Sequence, residues 1–259
     1  MAVDFGKTAN DYVKYRAGFP DSVFDILASR GIIAPRMKAV DLGTGTGVVA
    51  RALVERGLDV VGVDPSAELL AAARKHGPKS IIYVEGRAES TGLEQLSFDV
   101  AIAGQCWHWL DGVAAGREAY RLLKPGGFLV IAHRDWIELP DNVPGQTSAL
   151  MEKFNSDERA WLPERLSLRS GIYPRWFSDL RMTGFGEVES CTFDFTLPFS
   201  HDEWRGRMRA CSKIGASLPA AVAERFDSEL EALLEKQFPA EPLIIPHRAF
   251  LVWGRKPSA

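Results

Sequence analysis

The apolar positions of the chain fall into short continuous runs separated by longer amphipathic stretches. Between Lys38 and Arg134 the runs are "AVDL", "DVVGVD", "SIIYVE", "FDVAIAG" and "GFLVIAH". Between them lie "VVARALVERG", "SAELLAAARKHG" and "GREAYRLLK", rich in alanine, leucine and arginine. Apolar runs without alternation suit strands buried on both faces. Strands alternating with helices predict a parallel sheet covered on both sides, with right-handed crossovers. The expected fold class is α/β: Rossmann-like, doubly wound and mostly parallel.

The punctuation agrees with these boundaries. Pro125 and Gly126 in "KPGGFLV" suit a type II turn. Gly57 and Gly77 each follow a helical run, as C-terminal caps do, and Ser66 is the expected N-cap of "AELLAAARKH". Past His133 the pattern loosens. Residues 136–179 are aromatic and proline-punctuated, as an insertion or cap would be. "GFGEVESCTFDFTL" reads as a sixth strand, a helical stretch runs from about His201 to Phe238, and "HRAFLVWGRK" gives a seventh strand. Two strands closing the chain predict an antiparallel C-terminal strand at one sheet edge. No repeat or linker is evident, so residues 1–259 are expected to form a single domain. Its core would be 38–134, with cap insertions at 135–180 and 200–240.

Composition changes this picture little. Hydrophobic residues make up 46% and charged residues 25% of the chain, ordinary for a protein with a buried core. A net charge of −3 offers no footprint for DNA or RNA. Arg205, Arg207 and Arg209 form the densest basic cluster, either a solvated helix face or a site for an anionic group. Cys106, Cys191 and Cys211 have neither a C-x-x-C pair nor metal-ligand spacing, so no metal site is expected and a reducing, cytoplasmic setting is. "MAVDFGKTANDYVKYR" lacks an apolar stretch of signal-peptide type, and no run of about 18 apolar residues suggests membrane insertion.

The chemistry gathers at the strand ends. "VDLGTGTG" joins the first strand to the first helix, with glycines at 43, 45 and 47 that allow sharp turning and close ligand approach. A dinucleotide fingerprint is G-x-G-x-x-G, whereas here Val48 stands where its third glycine would be. Asp41 beside the loop is ill-suited to a pyrophosphate and suited to a ligand bearing an ammonium group. Asp64 closes the second strand in "VVGVDPS", where an acidic side chain can accept from both ribose hydroxyls. The plainer role for Asp64 is helix capping, for which Ser66 is better placed.

Taken together, "VDLGTGTG", "VVGVDPS", "VEGRAES", "FDVAIAGQCWHW" and "LLKPGGFLVI" resemble the class I S-adenosylmethionine-dependent methyltransferases, in particular the small-molecule group around the ubiquinone/menaquinone and trans-aconitate enzymes. The resemblance covers roughly Phe5 to Arg134, and the last two strands more loosely. It implies S-adenosyl-L-methionine as cofactor, S-adenosyl-L-homocysteine as product, and a small-molecule methyl acceptor. It also implies roles for individual residues. Gly43, Gly45 and Gly47 would cradle the methionine part, with Asp41 supporting the loop, and Asp64 would hold the ribose. Ala88 and Glu89 match the segment lining the adenine. There the family often has Gly-Asp-Ala, and this chain has Gly86, Arg87 and Ala88, so the usual carboxylate contact is lost. Residues 1–30 resemble an N-terminal lid, in which Tyr12 and Arg16 would close over the cofactor.

The fourth strand would deliver "GQCWHW" beside the methyl donor. A sulfonium cation is stabilised by an aromatic face within about 6 Å, so Trp107 or Trp109 would flank the adenine, face the sulfonium or wall off the acceptor pocket; Gln105 and Trp107 are assigned to the cofactor and Trp109 to the acceptor. In extended backbone the two tryptophans would share a side opposite His108; a helical turn would change that. His108 is the candidate base for a hydroxyl, phenol or activated carbon; it would bind a carboxylate; or it is a structural histidine. Arg134, Trp136, Tyr173, Trp176 and the Arg205–Arg209 segment are candidates for the acceptor pocket. The expected function is methylation of a small organic molecule, on a carboxylate or hydroxyl oxygen or on carbon of a quinone or isoprenoid. A nicotinamide dehydrogenase and a non-catalytic cofactor sensor are the readings from other classes.

Overall fold

The computed structural model describes residues 18–154, 171–211, 214 and 218–258. Seven strands form one sheet: β1 (Lys38–Leu42), β2 (Asp59–Asp64), β3 (Ile82–Glu85), β4 (Phe98–Gly104), β5 (Leu123–Trp136), β6 (Gly186–Phe199) and β7 (Leu243–Arg255). Their order is β3-β2-β1-β4-β5-β7-β6. β1 pairs in parallel with β2 and β4, β2 with β3, and β4 with β5. β7 runs against β5: Lys256 N donates to Gly127 O at 2.8 Å, while Ile137 N donates to Pro246 O at 2.8 Å. This is the Rossmann-like arrangement with an antiparallel C-terminal strand that the hydrophobic pattern predicts. Strand order reverses between β1 and β4, and in open α/β sheets the carboxyl ends at such a reversal are where ligands bind.

The helices are α1 (Asp21–Ser29), α2 (Val48–Glu55), α3 (Ala67–His76), α4 (Gly112–Leu122), α5 (Val143–Phe154), α6 (Arg175–Met182), α7 (His201–Arg209) and α8 (Ala220–Gln237). Ser66 caps α3 by accepting from Leu69 N at 3.2 Å. Asp111 caps α4 by accepting from Val113 N and Ala114 N, both at 3.1 Å. Gly57 adopts the left-handed conformation of a C-terminal cap, with φ +81°. Gly77 does not: its φ is −102°, and what it supplies is room, since a Cβ there would lie 2.9 Å from Ala73 O. α4 stops at Leu122 because Leu123 already pairs with Phe98. The stretch from His201 to Phe238 is not one helix, since α8 starts anew after Pro219, whose fixed φ and missing N–H favour a beginning.

The chain divides into two compact units. Among the described residues, 18–134, 171–193 and 249–258 make the sheet unit, and 135–154, 194–211, 214 and 218–248 the helical unit. Residues 171–180, expected in the cap, group with the sheet unit. The core of the sheet unit includes Leu42, Phe98, Trp107, Ile131, Trp176 and Phe250. That of the helical unit includes Trp204, Phe226, Leu230 and Ile245. There the Arg205 guanidinium pairs with Asp227 and Glu231, and Arg209 pairs with Asp227 at 2.8 Å. Burial pushes the Asp227 carboxyl up, but its arginine partners hold it below the usual range. Two of the three clustered arginines are thus matched by acids of α8, and the guanidinium of Arg207 lies 5.3 Å from the Trp136 ring centre.

Candidate active site

The loop after β1 is built around a buried carboxylate. Asp41 accepts from Thr44 Oγ1 at 2.6 Å and from Ala50 N at 3.1 Å, tying the glycine loop to the first turn of α2. Thr44 N donates to Val63 O at 2.9 Å, and Gly45 N donates to Asp64 Oδ2 at 2.8 Å, which tie it to β2. Asp64 Oδ1 accepts from Ser66 N at 2.9 Å, so each of its oxygens holds one backbone N–H and keeps a lone pair. Burial drives the Asp41 carboxyl up to about 7, opposed by its two hydrogen bonds and helped by the charge of Asp64. Asp64 is raised by burial as well.

The three glycines differ in what they face. All have positive φ, at +67°, +55° and +76° for Gly43, Gly45 and Gly47. A Cβ on Gly43 would lie 2.8 Å from Cys106 Sγ, and one on Gly47 2.3 Å from Tyr83 Oη. A Cβ on Gly45 would meet no described residue within 4 Å. Gly43 and Gly47 therefore let protein approach protein, whereas Gly45 presents bare backbone that faces no described residue.

The segment after β4 is where the sequence expectations change most. Gln105 sits in the left-handed region at φ +63°, a conformation that side chains with a Cβ rarely adopt. Its amide is turned to β5, donating to Arg134 O at 2.8 Å and accepting from Arg134 N at 2.7 Å. Arg134 is itself buried. Trp107 to Trp109 form a 3₁₀ turn, which rotates successive side chains by about 120°, so the two tryptophans do not share a side. Trp107 is 2% exposed and donates from Nε1 to Asp179 Oδ2 on α6 at 3.0 Å. It belongs to the core of the sheet unit. Trp109 is 44% exposed, and half-buried His108 lies between them, 4.9 Å from the Trp109 ring.

After β3, Ala88 is buried. Glu89 accepts from Asp111 N at 3.2 Å and pairs with the exposed Arg87 at 3.4 Å, so its carboxylate anchors the loop to the start of α4. Thr91 N and Oγ1 donate to Glu118 Oε1 at 2.9 and 2.6 Å. Arg121 donates to that carboxylate too, at 2.8 Å, and its pairing is the largest cause holding Glu118 down to about 2. Trp136 belongs to the helical unit, where it packs edge-on against Trp204 at 5.5 Å. Tyr12 and Arg16 lie outside the described residues.

Sequence reasoning missed Thr44, Asp179, Glu118 and His133. Of these, only His133 carried a signal, as a polar residue closing the apolar run "LVIAH". The other three act through side-chain partners distant in sequence or, for Thr44, through a turn whose shape the sequence does not display. Among the described residues, no His, Cys, Asp and Glu group could hold a metal ion, and no helix is long and apolar enough to cross a membrane.

This sheet order and loop define the class I S-adenosylmethionine-dependent methyltransferase fold. Residues 40–131 match the methyltransferase domain family, so that stretch of the chain carries a methyltransferase domain. The chain is 39% identical over 129 residues to an uncharacterized methyltransferase of Mycobacterium tuberculosis, covering 50% of this chain and 51% of that protein. It thus spans about half the length of the first curated relatives it matches. A candidate type II methyltransferase from Anaeromyxobacter dehalogenans superimposes with a TM-score of 0.66 at 23% identity, covering 95% of this chain and 100% of that one. Phosphoethanolamine N-methyltransferase 2 of Haemonchus contortus, in complex with phosphomonomethylethanolamine and S-adenosylhomocysteine, does so with a TM-score of 0.58 at 20% identity. That match covers 99% of this chain and 61% of the other. Likeness at these identities establishes the fold.

Proposed function

We propose that the chain transfers a methyl group from S-adenosylmethionine to an oxygen of a small organic acceptor, with His108 as the base. The observation that carries this is the position of His108. It follows β4 by four residues, in a segment joined to the glycine loop where Cys106 Sγ donates to Leu42 O at 3.0 Å. The residues fit the cofactor on a structural ground: Gly45 leaves a space that a Cβ would fill, with the Asp64 carboxylate bonded to the same residue. Gly45 would line the methionine part, and Asp64 would accept from the ribose hydroxyls with its remaining lone pairs. Asp41 would hold the loop from beneath. Ala88 would offer backbone to the adenine, since Glu89 is engaged by Asp111.

When bound, the cofactor supplies an electrophilic methyl group on a sulfonium. The chain's own contribution is alignment and proton removal. Trp109 offers an exposed aromatic face against which a flat acceptor can stack, excluding water. His108 accepts the proton of a phenol or other hydroxyl; toward a carboxylate it binds the oxygen already ionised. Imidazole suits both tasks because its charge changes between about pH 5 and 8. The net charge of −3 supports a free small molecule over nucleic acid as acceptor. The sparse and widely separated cysteines, without a C-x-x-C pair, support the cytoplasm as its setting.

The test is transfer of label from methyl-labelled S-adenosylmethionine to a panel of phenols, alcohols, carboxylic acids, amines and quinone precursors, with binding followed by calorimetry. His108→Ala should lower kcat by about 100-fold, with the cofactor Kd within about twofold of wild type. Unchanged turnover would remove His108 from the chemistry. Failure to bind the cofactor at all would overturn the assignment of Gly45 and Asp64.

A further inference from the structure

His133 lies within β5, three residues before its end at Trp136, and is 4% exposed. Its ring makes three edge-to-face contacts: with His108 at 4.8 Å and 83°, with Tyr173 at 4.8 Å and 73°, and with Trp176 at 5.7 Å and 76°. Tyr173 and Trp176 stack on one another at 4.1 Å, with planes 3° apart, and both pack against Phe250 on β7. All these residues lie within the sheet unit. Edge-to-face packing is a preferred aromatic geometry and therefore an orienting one.

The backbone beneath the two imidazoles is fixed from both sides. β4 and β5 are in register through Ala103↔Ile131 and Gly104↔Ala132. The next step on each strand is locked by the Gln105 amide bridging to the Arg134 backbone. His108, in the turn after β4, and His133, within the neighbouring β5, are thus brought together as a pair, one ring half-buried and the other buried. We propose that His133 is a positioning residue. Its ring, braced on the Tyr173–Trp176 stack, holds the His108 imidazole in the orientation that meets the acceptor, so that turnover depends on His133 only through His108. This rests on the role given to His108 above.

The experiment is a double-mutant cycle in the full chain, with His133→Ala, His133→Phe and His108→Ala, read by kinetics and by ring ¹⁵N–¹H spectra of histidine-labelled protein. With five histidines in the chain, the His108 signals are those lost in His108→Ala. His133→Ala should lower kcat by about 10- to 100-fold, the loss expected from misplacing a reacting group, while KM and Kd for the cofactor stay within about twofold. In the His108→Ala background it should cause no further loss. Phenylalanine, which keeps an edge-to-face ring, should restore most of the turnover lost in alanine. In the spectra, which need no acceptor, His133→Ala should shift and broaden the His108 ring signals, and His133→Phe should leave one sharp set. Additive losses in the cycle, a cofactor KM that rises with the fall in kcat, or His108 signals unmoved in His133→Ala would each overturn the proposal. If His108→Ala alone leaves turnover intact, the role of His108 fails first, whatever His133 does.

Discussion

Gly45→Ala should weaken cofactor binding by about 100-fold while lowering Tm only by the cost of its backbone conformation, and Gly47→Ala should lower Tm by clearly more. The contrast follows from what stands opposite each residue. Both glycines have positive φ, so an alanine at either costs about 1–2 kcal/mol in backbone conformation. For a chain of this size that corresponds to a Tm loss of roughly 2–8 °C. At Gly45 the added methyl meets no described residue within 4 Å, so the fold loses nothing more. It would enter the space assigned to the cofactor, where displacing a well-packed ligand by even one methyl is severe. At Gly47 the methyl would lie 2.3 Å from Tyr83 Oη and 3.3 Å from Ala73 Cβ. The phenol is the end of a rigid ring packed against α3, so the loop and the start of α2 must move. Overpacking of this kind adds typically 1–3 kcal/mol. Differential scanning calorimetry with and without S-adenosylmethionine separates the two. Wild-type binding in Gly45→Ala would mean the open face of the loop is not the cofactor side.

These positions also show what was legible in the sequence. The glycine triplet, Asp41 and Asp64 stand out because each interrupts an apolar run at a strand end, and parallel strands place all such ends on one side of the sheet. What "CWHWLD" does was not legible, because facing depends on backbone state. An extended segment puts Trp107 with Trp109, whereas the 3₁₀ turn sends Trp107 into the core toward Asp179, 72 residues away along the chain. Gln105 is a second instance. Only a left-handed backbone turns its amide onto the Arg134 backbone, and glutamine carries no outward sign of that conformation. The aromatic segment around Tyr173 read as cap material, yet Tyr173 and Trp176 belong to the core of the sheet unit. Long-range packing chooses between such fates, and local pattern does not encode it.

The second large effect concerns Asp41, and its sign is opposite to intuition about a hydrogen-bonded carboxylate. Burial raises its pKa in the folded chain from 3.8 to about 7. Between those values the folded state holds a proton that the unfolded state has released, so stability falls as pH rises through that window and levels off above it. Asp41→Asn removes the titration. An amide oxygen can still accept from Thr44 Oγ1 and Ala50 N, the two donors now at 2.6 and 3.1 Å. The variant should match wild type near pH 4 and exceed it at pH 8 by an amount on the order of 2–4 kcal/mol, since each pKa unit is worth about 1.4 kcal/mol. Asp64 titrates in the same direction and is present in both proteins, so its own burial cancels and only its coupling to Asp41 enters the difference. Denaturant midpoints at pH 4.5, 6 and 8 measure this directly, and parallel pH profiles for the two proteins would refute it. Active sites are where a charge that costs the apo chain stability serves function. A cationic sulfonium above the loop is the candidate: Asp41→Asn should bind S-adenosylmethionine about tenfold more weakly at pH 8 while losing less affinity for the uncharged S-adenosylhomocysteine thioether. Equal losses for the two ligands would make Asp41 a support of the loop alone.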